Sequence, residues 1–135
     1  MKPMRENLMV QEQLKAPHKQ WKHMVAVMCL NLTYRKQVKT ILPKLFARYP
    51  NPRAYLRGRL KTQQQILKPL GMWEVRSKRI RKMTEQYLTW DRKEASELHG
   101  IGKYGSDSYH IFFHNHIPPN VQDKELKKYI DKLAG

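Results

Sequence analysis

Apolar residues recur at three- and four-residue spacing along most of this 135-residue chain, and no stretch alternates as a half-buried strand would. The pattern predicts a helix over 5–15 that ends before Pro17. It predicts another over 19–31, where Trp21, Met24, Val25, Met28 and Cys29 mark a buried face. Thr33 is a candidate cap for the next helix, from about Tyr34 to Arg48, which Pro43 breaks or kinks. "YPNPRAYLRG" reads as a turn and a short helical piece. "TQQQILKPLG" reads as a further short helix with Thr62 as cap and Gly71 as stop. A long basic helix spans 73–88, and "TWDRKEASEL" leads into a helix that stops at about His99. Another begins at about Lys103 and runs to 115, "HIPPN" breaks the chain, and a last helix covers 121–133. The expected architecture is all-α, with eight or so helices joined by short loops. No repeat, low-complexity segment or long linker divides the chain, so residues 1–135 read as a single domain.

Charge changes the picture. Lys and Arg number 27 against 11 Asp and Glu, a formal net charge of +16 at pH 7. Like charges repel in a compact state, so this excess does nothing for folding, and its usual use is to hold a polyanion such as nucleic acid. A generic basic surface is the blander explanation. The single cysteine, Cys29, sits inside the apolar run "MVAVMCLNL". It has no partner for an internal disulfide, cannot by itself hold an iron–sulfur cluster, and reads as a buried thiol. The longest apolar stretch, Met24 to Leu30, is too short to cross a membrane. Charges and amides interrupt "MKPMRENLMVQEQL", unlike a signal peptide, so an intracellular protein is expected.

The stretch with candidate chemistry is "LHGIGKYGSDSYHIFF", residues 98–113, which places three glycines between Gly100 and Gly105 at the start of a helix. Gly100 and Gly102 allow positive φ and clear side chains from the outer face, while Ile101 points inward. The amides around Gly100, Gly102 and Lys103 are then free at the positive end of a helix, a backbone site for an anion such as a DNA phosphate. A plain tight turn between two helices would look similar; the preceding Leu98 and the +16 charge favour the phosphate. No strand precedes the glycines, which argues against a dinucleotide loop. Lys78, Arg79, Arg81 and Lys82, with Arg57, Arg59 and Lys61, are expected to be solvated or phosphate-facing. His110, His114 and His116 have spacing that can hold a metal, but no Cys or acid completes a ligand set, so no metal is expected. Ser106, Asp107 and Ser108 suit helix packing and local hydrogen bonds, with Ser108 a possible phosphate contact. Asp123, at the start of the last helix, suits the helix dipole as well as it suits catalysis.

"LHGIGKY" followed by a helix resembles the helix–hairpin–helix DNA glycosylase superfamily. The segments "VQEQL", "WKHMVAVMCLNLT", "LKPLGMWEVRSKRI", "EQYL", "ELHGIGKYGSDSYHIF" and "DKELKKY" occur in the order and spacing of the thymine glycosylase domain of methyl-CpG-binding-domain proteins. The resemblance covers residues 8 to about 133 and the glycosylase part alone. It implies a DNA-binding cleft between helical subdomains. It implies that Asp123 is catalytic, a carboxylate beside C1′ of the deoxyribose that stabilises an oxocarbenium-like transition state and orients water. Tyr104 stands where strand-cutting members carry a nucleophilic Lys. A phenol forms no Schiff base, so a monofunctional glycosylase without lyase activity is implied. Gln11 and Tyr104 match the base pocket that receives a flipped pyrimidine. Leu32 and Met72 match the positions that wedge into the duplex, although the family pattern has Arg at the first, which bears on preference for an opposite guanine. Gly100, Ile101, Gly102, Lys103 and Gly105 fall on the phosphate-binding hairpin. The implied partner is double-stranded DNA with a mismatched or damaged pyrimidine, bound by a monomer with no cofactor. The implied substrates are thymine or uracil opposite guanine. A non-catalytic DNA-binding module, or an enzyme for another modified pyrimidine, are the alternatives.

Overall fold

A computed structural model describes residues 17–134, so the helix expected over 5–15 lies outside the described residues. Helix α1 (Lys19–Leu30) is the centre, and every residue from Trp21 to Cys29 is buried. It is enclosed on all sides rather than along one stripe, as a core helix is. Trp21 donates its indole N–H to Thr84 Oγ1 at 3.0 Å, and the rings of Phe46 and Tyr55 stand 5.8 and 6.1 Å from it. Truncating such a buried Trp to Ala typically costs about 3–5 kcal/mol.

Helix α2 (Arg35–Arg48) lays Val38, Ile41, Leu42 and Leu45 on this core. Of the break or kink expected at Pro43, the break does not occur: the helix runs on through it. Pro43 is exposed, so the carbonyl it deprives of a partner lies on the face that water can serve. Thr33 is not the cap: Tyr34 holds that position, and the Thr33 hydroxyl donates to the Asn31 carbonyl at 3.0 Å. Helix α3 (Pro52–Arg57) is capped by Asn51, whose Oδ1 accepts from the Ala54 amide at 2.8 Å. Helix α4 (Leu60–Leu67) starts ahead of Thr62, which therefore lies inside it and caps nothing. A 3₁₀ turn over Lys68–Leu70 ends at Gly71, with φ +73°.

Helix α5 (Trp73–Tyr87) buries Arg76, Ser77, Ile80, Met83, Thr84 and Tyr87. Lys78, Arg79 and Lys82 are exposed as expected, but Arg81 is not a solvated charge. Its guanidinium donates to the Leu56 and Gly58 carbonyls at 3.0 and 2.9 Å and to Gln63 Oε1 at 2.8 Å, tying α5 to the turn between α3 and α4. The helix expected to end at His99 is a single 3₁₀ turn, Ala95–Glu97. Side chains bond to the carbonyls just ahead of it: Tyr109 donates to Arg92 O at 2.6 Å, and Trp90 Nε1 donates at 3.0 Å to Glu94 O, which also accepts the Glu97 amide at 3.2 Å. Helices α6 (Lys103–His114) and α7 (Lys124–Ala134) complete the order, and the described residues contain no strand. No helix among them is long and apolar enough to cross a membrane. A second, small apolar cluster joins Ile111 of α6 to Leu126 of α7, and Tyr104 and Phe112 pack against both clusters.

Cys29 is fully buried, and burial pushes its thiol from 9.0 up to about 12, against a smaller opposing effect of Arg76. Burial likewise pushes the Tyr109 phenol up to about 12. Both folded-state values are raised. The stability these groups contribute is therefore complete below their unfolded values and is lost as pH climbs through the folded ones. Urea-unfolding stability should accordingly hold to about pH 9 and fall from there towards pH 12. Alkylation of Cys29 near neutral pH should need denaturant, and labelling of the native protein at the denatured rate contradicts the burial.

Candidate functional site

The site is built on a buried guanidinium. Arg76 sits on the core face of α5 and is 8% exposed. It donates through Nε to Gly71 O at 3.0 Å, through Nη1 to Met28 O at 3.2 Å and through Nη2 to Asn31 O at 2.8 Å. The last turn of α1 has no basic residue of its own, so Arg76 brings positive charge to orphan carbonyls at the negative helix end. It also links two loops. One carries Leu32, with φ +56° and 84% exposure; the other carries Met72, with φ +48° and 52% exposure. A left-handed backbone costs a non-glycine residue about 1–2 kcal/mol, and large exposed apolar side chains gain nothing in water. Both features fall on the two residues predicted to enter the duplex. Leu32 and Met72 line one narrow cleft with Arg76 and Gly100.

The hairpin lies beside them. Gly100 has φ +80°, but Gly102 has φ −95°, so only the first glycine uses the left-handed freedom expected of both. A Cβ on Gly102 would meet nothing within 4 Å, which leaves the outer face bare. Ile101 points inward at 7% exposure, and its amide donates to Leu98 O at 3.2 Å, so that amide is not free. The first bond of α6 runs from Ser106 N–H to Gly102 O at 2.9 Å, leaving the Lys103, Tyr104 and Gly105 amides without carbonyl partners. The Lys103 ammonium lies 3.1 Å from Asp107 Oδ2. Gly105 is buried against α1: a Cβ there would come within 2.8 Å of both Ile101 Cγ2 and Val27 Cγ1. Its lack of a side chain therefore serves close helix packing. Ser108 is also fully buried, donating to Gly105 O and bonded to His23, and is out of reach of a phosphate.

Between the hairpin, the end of α1 and the starts of α2 and α7 opens a cavity of about 520 Å³. Leu32, Arg35, Gly102, Tyr104, Asp123 and Glu125 are among its lining residues. Asp123 caps α7, Oδ2 accepting from the Leu126 amide at 3.0 Å, while its other oxygen meets no donor among the described residues. Residues 121–123 are irregular, and α7 starts at Lys124 rather than at 121. Glu125 adds a second carboxylate: Oε1 is 3.8 Å from Lys128 Nζ, and Oε2 is buried with no hydrogen-bond partner among the described residues. Burial, then the Asp123 carboxylate, holds the Tyr104 phenol well above its ordinary range, against the pull of Arg35, so at neutral pH it is a neutral hydroxyl.

Gln11 lies outside the described residues. Of the others predicted for one site, Asp123, Tyr104, Leu32, Gly100, Gly102, Lys103 and Gly105 share this cavity, Met72 lies across the adjoining cleft, and Ile101 lines neither. Sequence reading missed Arg76, although its position among Trp73, Ser77 and Ile80 on the core register of α5 is a signal. It also missed Glu125 and gave Arg35 no place in the cavity. Among the described residues no group of three His, Cys, Asp or Glu side chains is arranged to hold a metal ion. His110 pairs with Glu94 at 3.0 Å, and His114 is bonded to Arg92 O at 3.1 Å.

No family model matches the chain. It is 30% identical over 119 residues to a methyl-CpG-binding domain protein 4-like protein of Arabidopsis thaliana, a match covering 86% of this chain and 26% of the relative. It is 26% identical over 122 residues to a thymine/uracil-DNA glycosylase of Pyrobaculum aerophilum and to a thymine-DNA glycosylase of Aeropyrum pernix. These matches cover 85% of this chain and 53% and 54% of the relatives. The chain thus spans about a quarter of the first relative's length and just over half of the other two. Among solved structures, endonuclease III in a non-covalent DNA complex is similar at a TM-score of 0.63 and 15% identity, over 99% of this chain and 78% of that one. Endonuclease III in a trapped covalent DNA intermediate is similar at 0.63 and 19%, over 74% and 49%. The likeness establishes the all-α fold seen in endonuclease III.

The two glycines beside Lys103 and Tyr104 should respond oppositely to a methyl group. Gly102→Ala should leave the melting temperature unchanged, because its Cβ enters open space. Gly105→Ala should destabilise by about 1–3 kcal/mol through overpacking between α1 and α6. Equal effects in thermal unfolding would contradict this packing.

Proposed function

We propose that this chain, which belongs to the helix–hairpin–helix DNA glycosylase superfamily, is a monofunctional enzyme that excises thymine or uracil mispaired with guanine. The observation that carries the reading is that Asp123 lies in one open cavity with Tyr104 and the hairpin, paired with no cation among the described residues. Positive surface and the free amides of α6 hold duplex phosphates, which position the protein without reading sequence. Leu32 and Met72 enter the stack as one nucleotide turns out. The cavity is of a size with known small-molecule sites, about 300–1,000 Å³, and receives the nucleotide. As the C1′–N1 bond lengthens, the free Asp123 oxygen faces the positive sugar and orients the attacking water. The neutral Tyr104 hydroxyl is a donor for a pyrimidine carbonyl. The names of the relatives support thymine and uracil as the bases.

A non-catalytic DNA-binding module of the same fold is the second reading. One observation favours it: the cap on Leu126 gives Asp123 a structural reason to be present. Asn caps a helix as well as Asp does, whereas Ala costs about 1 kcal/mol. Asp123→Asn is therefore the clean variant. It should lower single-turnover excision from uracil·guanine and thymine·guanine duplexes by a hundredfold or more, on the order of a lost charge-stabilising group, with duplex affinity kept. Undiminished excision would falsify the catalytic role. A wild type that binds but excises nothing would favour the second reading. Borohydride should trap no covalent adduct between the enzyme and DNA, because Tyr104 stands at the Schiff-base position; a trapped adduct would establish a lyase.

A further inference from the structure

The reaction proposed above separates charge, leaving the sugar positive while the departing pyrimidine takes the electron pair of the C1′–N1 bond. We propose that Arg35 stabilises the second of these charges by donating to the carbonyl oxygens of the leaving base, a role that rests on the glycosylase reading. Arg35 opens α2 and lines the cavity that Asp123, Glu125 and Tyr104 also line. A guanidinium sharing a cavity with two carboxylates is ordinarily drawn into a paired, bidentate contact. Here it is not. The ion pairs among the described residues are Lys103–Asp107, His110–Glu94 and Lys128–Glu125. Asp123 is turned to the Leu126 amide and Glu125 Oε1 to Lys128, so among the described residues nothing neutralises the Arg35 cation in the wall. The first turn of α2 holds no acidic residue to offset it.

The cavity thus carries both signs without their cancelling: carboxylates from the first turn of α7 and a cation from the first turn of α2. Bond cleavage produces the matching pair of charges. The electron pair passes to N1 and spreads onto the adjacent carbonyl oxygen. Water oxygen bonds to C1′ and loses its proton by way of Asp123 to solvent. The pyrimidine anion then takes a proton from solvent, and Arg35 neither gives nor accepts one. DNA over the cavity mouth displaces water from the exposed guanidinium, which strengthens its pull on the developing anion.

Leaving-group acidity isolates this role. Single-turnover excision of thymine, uracil and 5-fluorouracil opposite guanine is compared for wild type, Arg35→Lys and Arg35→Met. Affinity for a duplex holding a tetrahydrofuran abasic analogue is measured beside it. Arg35→Met should slow thymine and uracil by on the order of tenfold to a hundredfold. It should slow 5-fluorouracil, whose anion is intrinsically more stable, by a few-fold at most. Arg35→Lys should recover part of the loss, and affinity for the abasic duplex should stay within about threefold. Equal slowing of all three bases, loss of abasic-duplex affinity in proportion, or no slowing at all overturns the inference and leaves the glycosylase reading standing. A wild type that excises none of the three bases removes both.

Discussion

Three hydrogen bonds from one guanidinium hold the working face together. Arg76 reaches Gly71, Met28 and Asn31, carbonyls from two loops and a helix end that are distant in sequence. Each is an acceptor that water would otherwise serve or that burial would leave unpaired. A charged donor bound to a neutral acceptor is worth about 1.5–3 kcal/mol, enough to offset the left-handed strain at Leu32 and Met72. Without it the two loops have no common anchor, and the separation between their exposed tips becomes free to vary.

Around that anchor the helix ends are sorted by polarity. The carbonyl end of α1 is met by Arg76, while the amide ends of α2, α6 and α7 all contribute to the wall of the cavity. Three positive dipole ends around one space favour an anion. The Asp123 side chain sits in that setting, which also suits an approaching phosphate. The same group, through Oδ2, starts α7. Tyr104 couples the space to the scaffold, since it packs on both apolar clusters and also lines the cavity.

The helices were legible where burial follows a period of about 3.6 residues, plain in Arg76, Ile80, Met83, Thr84 and Tyr87 of α5, whereas α1 is buried all round and was read from its apolar residues alone. The hairpin and Asp123 were legible as spaced motifs. What failed was local hydrogen-bond competition. Thr33 and Thr62 have the side chains of caps but stand one residue before and three residues after the cap positions, and the Arg92 carbonyl goes to the distant Tyr109 ring while Trp90 shares the Glu94 carbonyl with the Glu97 amide. Arg81 and Arg76 were misread or passed over because a charge suggests water, whereas each spends its donors on backbone carbonyls inside the fold. Arg35 joins the cavity only through the direction in which α2 leaves its loop, a property of the assembled molecule rather than of any short segment.

Leu32 and Met72 stand outward in the free protein. Their posture in the free protein is set by the backbone and by Arg76. Under the glycosylase reading proposed above, these residues would act as a fixed probe, and selectivity would come from the compliance of what they press against. Stiff, well-stacked pairs would resist and mismatched ones would yield, so that search would be a mechanical survey of the DNA.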